Sequence, residues 1–91
     1  MIKTFKTRSI KKLYEGDASK VNADHIERVE DILALLDSLE SIDELKLKGL
    51  NLHKLSGNLK GFWSISVSGN YRIWFRFEDN NVFDVSYGDY H

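Results

Sequence analysis

Residues 62–87 read FWSISVSGNYRIWFRFEDNNVFDVSY, and the period of two in that stretch decides the fold. The first strand, Phe62–Ser68, puts Trp63, Ile65 and Val67 on one side and Ser64, Ser66 and Ser68 on the other. Gly69–Asn70 is a two-residue connection of the kind that closes a primed hairpin turn. The second strand, Tyr71–Phe77, alternates Tyr71, Ile73, Phe75 and Phe77 with Arg72, Trp74 and Arg76. The residues EDNN turn the chain again, into a third strand, Val82–Tyr87. There Phe83, Val85 and Tyr87 are expected on the apolar side, opposite Val82, Asp84 and Ser86. The result is an antiparallel sheet with one oily face and one polar face.

Upstream the period changes. NADHIERVEDILALLDSLESI, residues 22–42, places Ile26, Val29, Leu33 and Leu36 on a helical stripe widened by Ile32, Leu35 and Leu39. Asn22 or Asp24 can cap its start, and Glu27 stands where a capping box wants it. His25, in the first turn, reads as a surface residue. Before it, RSIKKLYEG (residues 8–16) suits a short helix on Ile10, Leu13 and Tyr14, and MIKTF suits a short strand. The expected architecture is α+β, with two N-terminal helices packed on the oily face of a small antiparallel sheet, in one domain spanning residues 1–91. The other face, bearing Arg72, Trp74 and Arg76, is left open.

The composition fits an ordinary globular domain: 42% of the 91 residues are hydrophobic and 30% charged. No apolar run is long enough to span a membrane, and the basic N-terminus lacks the apolar segment of a signal peptide. With no cysteine there is no disulfide framework, which agrees with a reducing cytoplasm. The formal net charge of −1 does not predict global attraction to nucleic acid. The charge is uneven, however. Residues 21–45 carry eight Asp/Glu against one Arg, while residues 46–91 carry six Lys/Arg against four Asp/Glu. A local basic face therefore remains open.

Two arginines flanking a tryptophan on an exposed strand face admit two readings. In one, Arg stems cover Trp74 and the guanidinium groups pair with Asp84 or another carboxylate. In the other, the forks grip phosphate oxygens and the indole stacks on bases of single-stranded RNA. The histidines add chemistry. His53 lies in NLHKLSGNLKG (residues 51–61), a strand leading into a glycine-rich loop, and His91 follows the last strand. Their spacing to carboxylates argues against a zinc site. Two imidazoles and a guanidinium at a sheet edge instead suit acid–base chemistry on a phosphodiester, with the guanidinium stabilising a pentacoordinate phosphorus.

The ordered segments Leu52–His53–(x)–Leu55–(x)–Gly57, Gly61–Phe62–Trp63–Ser64–Ile65, Asn70–Tyr71–Arg72–Ile73–(x)–Phe75 and Asp89–Tyr90–His91 resemble the HigB toxins of the RelE superfamily along the whole chain. The resemblance implies a ribosome-dependent mRNA endonuclease, acting in the cytoplasm on mRNA in the ribosomal A site. It would be held inactive by a cognate helix-turn-helix antitoxin, HigA-like, and would touch DNA only through that antitoxin. Cleavage would need neither metal nor other cofactor: a ribose 2′-OH attacks the adjacent phosphate. Carried over by position, His53, Arg72, Asp89, Tyr90 and His91 are the catalytic candidates. Arg72 would hold the scissile phosphate, with His91 the preferred base and His53 the acid or a phosphate contact, roles that could be exchanged. Asp89 would orient an imidazole or share the base role, and Tyr90 would stack on the nucleotide. The chain would then end at its active site. Lys54, Lys60, Trp74 and Arg76 are the candidate RNA contacts.

Two departures from the family pattern stand out. The proline and lysine of the family's histidine segment are Lys54 and Ser56 here. In an extended segment Lys54 points away from His53, leaving Lys60 as the substitute cation. The chain is also less basic than many relatives. Both departures favour a competing reading, a toxin-like binding module with weak or no cleavage that acts mainly through its antitoxin in promoter autoregulation. An unrelated α+β domain, its Trp and Arg residues merely finishing the sheet, is the third.

Overall fold

The computed structural model describes residues 1–89. Four strands, β1 (His53–Lys54), β2 (Phe62–Ser68), β3 (Tyr71–Glu78) and β4 (Asn81–Asp89), form one antiparallel sheet in the order β1-β2-β3-β4. The two tight turns follow their residues. At the β2–β3 turn Gly69 takes a φ of 54°, and at the β3–β4 turn Asp79 and Asn80 take 49° and 64°. Those left-handed values match the right-handed twist of the flanking strands, and Gly, Asn and Asp adopt them most readily.

Three helices cover one face: α1 (Arg8–Tyr14), α2 (Ile26–Asp37) and α3 (Ile42–Lys46). From α1 come Ile10 and Leu13, and from α2 Val29, Ile32, Leu33 and Leu36. They pack with Ile65, Ile73, Phe75, Val82 and Val85 of the sheet into one core. The long helix expected over residues 22–42 is divided. Asn22 caps a 3₁₀ turn, Ala23–His25, accepting from Asp24 N at 3.0 Å, before α2 begins. α2 ends at Asp37, and Ser41 caps α3 by accepting from Asp43 N at 3.2 Å. The turn between them still buries Leu39. Among the described residues no helix is long and apolar enough to cross a membrane.

The alternation expected in the last strand is corrected. Val82 pairs with Phe77 and Phe83 with Arg76, but Ser86 pairs with Trp74, so β4 carries one more residue than β3 at this point. The bulge centres on Asp84, whose φ is 56°. Val82, Val85 and Tyr87 therefore share the helix side, whereas Phe83 and Ser86 lie on the opposite face beside Arg76 and Trp74. Asp84 is held by the N-terminal segment: its N–H donates to Thr4 Oγ1 at 2.7 Å, and Thr4 Oγ1 donates to its Oδ1 at 3.3 Å.

That segment runs outside β4 as two parallel bridges, Ile2 to Val82 and Phe5 to Val85, rather than as a regular strand. It covers the edge of β4 with main-chain bonds such as Lys3 N to Val82 O at 2.7 Å and Lys6 N to Val85 O at 2.8 Å. A paired edge here leaves the open face of the sheet as the surface free of helices.

Candidate functional site

The registers arrange that open face in three rows. Phe62, Arg76 and Phe83 form the first; His53, Ser64, Trp74 and Ser86 the second; Ser66, Arg72 and Gly88 the third. Directly paired residues share a face with strands about 4.8 Å apart, so His53 and Trp74 stand about 10 Å apart on either side of Ser64. The floor of the middle and third rows is built from small residues: Ser64, Ser66, Ser86 and Gly88. Long side chains shelter it, and Ser64 is only 1% exposed although no helix covers it.

The face curls inward. Lys6, in the segment beyond β4, brings its ammonium to 6.0 Å from the ring centre of Phe62 in β2. The indole of Trp74 lies over Gly88, where an added Cβ would meet Cη2 at 3.6 Å. The open face thus carries His53, Trp74 and Arg72 around hydroxyl-bearing and glycine positions.

The two arginines have different surroundings. Arg76 donates from Nε to Asp84 Oδ2 at 2.9 Å, meets Glu78 at 3.2 Å, and lies 5.4 Å from the centre of the Phe83 ring. The hydrogen bond to Asp84 leads in raising its pKa above the ordinary value, with Glu78 adding to the effect. Its charge is thus matched within the sheet. Among the described residues Arg72 reaches Ser64 Oγ, at 3.5 Å, and no carboxylate forms an ion pair with it. A half-exposed guanidinium fork of this kind is able to hold a phosphate through paired N–H donors.

His53 is exposed on β1 and turns to the same side as Ser64. Its Nε2 lies 3.0 Å from Asn51 Oδ1, while Asn51 Nδ2 donates to Ser66 Oγ at 2.9 Å. Asn51 carries no signal in the sequence that would mark it: it precedes β1 and takes a left-handed φ of 53°. Lys54, one residue after His53, pairs with Trp63 instead and holds its ammonium 5.7 Å from that ring, on the helix side. It is not brought onto the open face. Lys60 is exposed where a 3₁₀ turn, Gly57–Leu59, hands the chain to β2.

Asp89 pairs with Tyr71, while Gly88 pairs with Arg72, so the pleat sends Asp89 to the face opposite Arg72. The candidates Tyr90 and His91 lie outside the described residues.

His25 is the clear correction among the histidines. It is not a surface residue but 6% exposed, with Nδ1 2.7 Å from the Tyr87 hydroxyl and its ring 4.8 Å from that of Tyr71. Burial leads in raising the Tyr87 pKa, so the hydroxyl stays protonated at neutral pH. The signal was present in the spacing, because positions 25, 29, 32 and 36 fall on one helical face. His25 belongs to the interior on the helix side, away from the open face.

The chain matches the family described as RelE-like toxin of type II toxin–antitoxin system HigB over residues 3–91. It is 40% identical to the endoribonuclease HigB of Proteus vulgaris over 92 residues, covering the full length of both chains. Solved structures with the same fold include a chain of the heterotetrameric YoeB–YefM toxin–antitoxin complex from Staphylococcus aureus. That match has a TM-score of 0.62 and 20% identity, covering 100% of this chain and 95% of the other. The YoeB dimer from the same organism aligns with a TM-score of 0.60 and 20% identity, over 99% and 94% of the two chains.

Proposed function

The chain belongs to the HigB family of RelE-like toxins from type II toxin–antitoxin systems, and on that premise we propose that it is an endoribonuclease that cleaves mRNA on the ribosome. The observation that carries the reading is Arg72, a guanidinium without a carboxylate partner among the described residues, on the same open face as His53. Between them on that face stand only small side chains, those of Ser64 and Ser66.

The reaction proceeds by transfer within the RNA. A base takes the proton of a ribose 2′-OH, and the oxygen attacks the adjacent phosphorus. The bond from phosphorus to the 5′-oxygen breaks, and an acid protonates the departing oxygen. Arg72 binds the scissile phosphate and gains strength as negative charge grows on its oxygens. His91 is the preferred base and His53 the acid or a phosphate contact, since imidazole exchanges protons near neutral pH. Tyr90 positions the nucleotide and Trp74 offers a stacking surface. Asp89, directed to the opposite face by its register, acts on the site only through its neighbours. Arg76, already matched by Asp84 and Glu78, braces the open face rather than gripping phosphate.

A HigA-like antitoxin is the partner that restrains the enzyme, and translating ribosomes in the cytoplasm supply the substrate. The second reading, a toxin-like module that cuts poorly and works mainly through its antitoxin, draws on Lys54 being turned to Trp63 and Ser56 standing where the family has lysine. Analysis of the cut ends separates them. Fragments released in a translating extract are expected to carry a 2′,3′-cyclic phosphate and a 5′-OH. Fragments bearing a 5′-phosphate would rule out the transfer reaction, and no fragments at all would favour the binding module.

A further inference from the structure

We infer that Asn51 is a positioning residue for His53, clamping Nε2 so that Nδ1 is the ring nitrogen turned to the RNA. The inference deepens the nuclease reading and rests on it for its catalytic meaning. Its structural content stands on the hydrogen bonds alone.

His53 sits on a two-residue edge strand and is exposed. A side chain so placed would ordinarily sample several rotamers, and ordering it costs conformational entropy. One neighbour opposes that freedom. Asn51 Nδ2 donates to Ser66 Oγ at 2.9 Å, which fixes the orientation of the amide and leaves Oδ1 facing His53 Nε2 at 3.0 Å. A carboxamide oxygen can only accept, so Nε2 carries the proton. Nδ1 is then an acceptor in the neutral ring and a second donor in the cation. In either state the Nε2 bond survives, and proton exchange with a substrate runs through Nδ1.

The anchor is well chosen. Ser66 is the cross-strand partner of Arg72, so the amide ties the imidazole to the row that carries the guanidinium. Asn51 also holds a φ of 53°, a conformation that Asn tolerates better than most side chains. Both features make Asn51 a device for setting the distance between His53 and Arg72.

The test uses the full chain with Asn51→Gly, which keeps the left-handed backbone without strain, and Asn51→Asp, which keeps an acceptor for Nε2–H. Two quantities are read: mRNA cleavage in a translating extract, and the order parameter of the His53 Cδ2–Hδ2 bond from carbon-13 relaxation. Asn51→Gly is expected to lower the cleavage rate by about 10- to 100-fold and to loosen the ring, with the melting temperature unchanged. Asn51→Asp is expected to restore both. An equally ordered ring in wild type and Asn51→Gly would overturn the positioning role, as would an Asp variant as loose as the Gly variant. If the folded wild type cut nothing, the nuclease reading would fail, and ring order would still decide whether Asn51 holds His53. Normal cleavage by Asn51→Gly with a loosened ring would overturn the inference at its catalytic end.

Discussion

Arg72→Ala is expected to reduce mRNA cleavage by about 10²–10³-fold while the protein stays folded. The rate loss follows from the surroundings of the side chain. Arg72 is half-exposed, faces a floor of serines and glycine, and has no carboxylate in an ion pair with it among the described residues. Its positive charge is therefore available to a phosphate whose oxygens gain charge during attack. Among the described residues its hydrogen bond goes to Ser64 Oγ, at 3.5 Å, and its removal takes that partner from a buried hydroxyl. Leaving such a group without its partner costs about 1–3 kcal/mol, a loss the fold tolerates and the thermal melts register. Arg72→Lys keeps the charge but not the planar fork, and should recover only part of the rate. The contrast is Arg76→Ala, which breaks contacts to Asp84, Glu78 and Phe83. Its effect should fall more on melting temperature than on cleavage. Time courses in a translating extract, set beside thermal melts followed by circular dichroism, check the pair.

Phe75→Ala is expected to cost about 3–5 kcal/mol of folding stability. Phe75 lies in β3 at the centre of the sheet, is 0% exposed, and is among the largest fully buried side chains. The strands on both sides and the helices above leave little freedom for the cavity to collapse. Against a whole-domain stability of the order of 5–15 kcal/mol, that loss is a large share. Phe83→Ala is the control. After the bulge at Asp84, that ring is only half-buried on the open face, so its removal should cost less. Urea unfolding of the three proteins measures both differences directly. Equal losses at the two positions would contradict the packing assigned to β4.

Much of this arrangement is legible in the residues. The alternation over 62–66 and 71–77 orients Arg72, Trp74 and Arg76 away from the helices, and the same pleat separates Lys54 from His53. A register shift between Ser66 and Ser68 pairs Ser68 with Tyr71 instead, off the face expected for it. The turns at Gly69–Asn70 and Asp79–Asn80 follow from residue types that accept left-handed backbone. The bulge does not show, because one extra residue leaves no mark on an alternating pattern. Asp84 is stabilised there by Thr4, 80 residues away in the chain. Likewise α3 spans five residues, too few for a period to register. Asn51 escapes notice because its role lies in two side-chain bonds across strands, not in any spacing. His25 was readable from its helical face, but a polar ring on that stripe needs the Tyr87 hydroxyl to be at home there. Whether Arg76 binds a ligand or a neighbour could likewise not be decided until Asp84 was located.

The central claim is that this chain cuts mRNA as the ribosome translates it. It is tested most directly by primer-extension mapping of one mRNA incubated with the wild-type protein, in a translating extract and as naked RNA. Cuts confined to the translated region, and absent from the naked transcript, are the predicted result. A folded protein that leaves the translated mRNA intact, or that cuts naked RNA equally well, would contradict the claim.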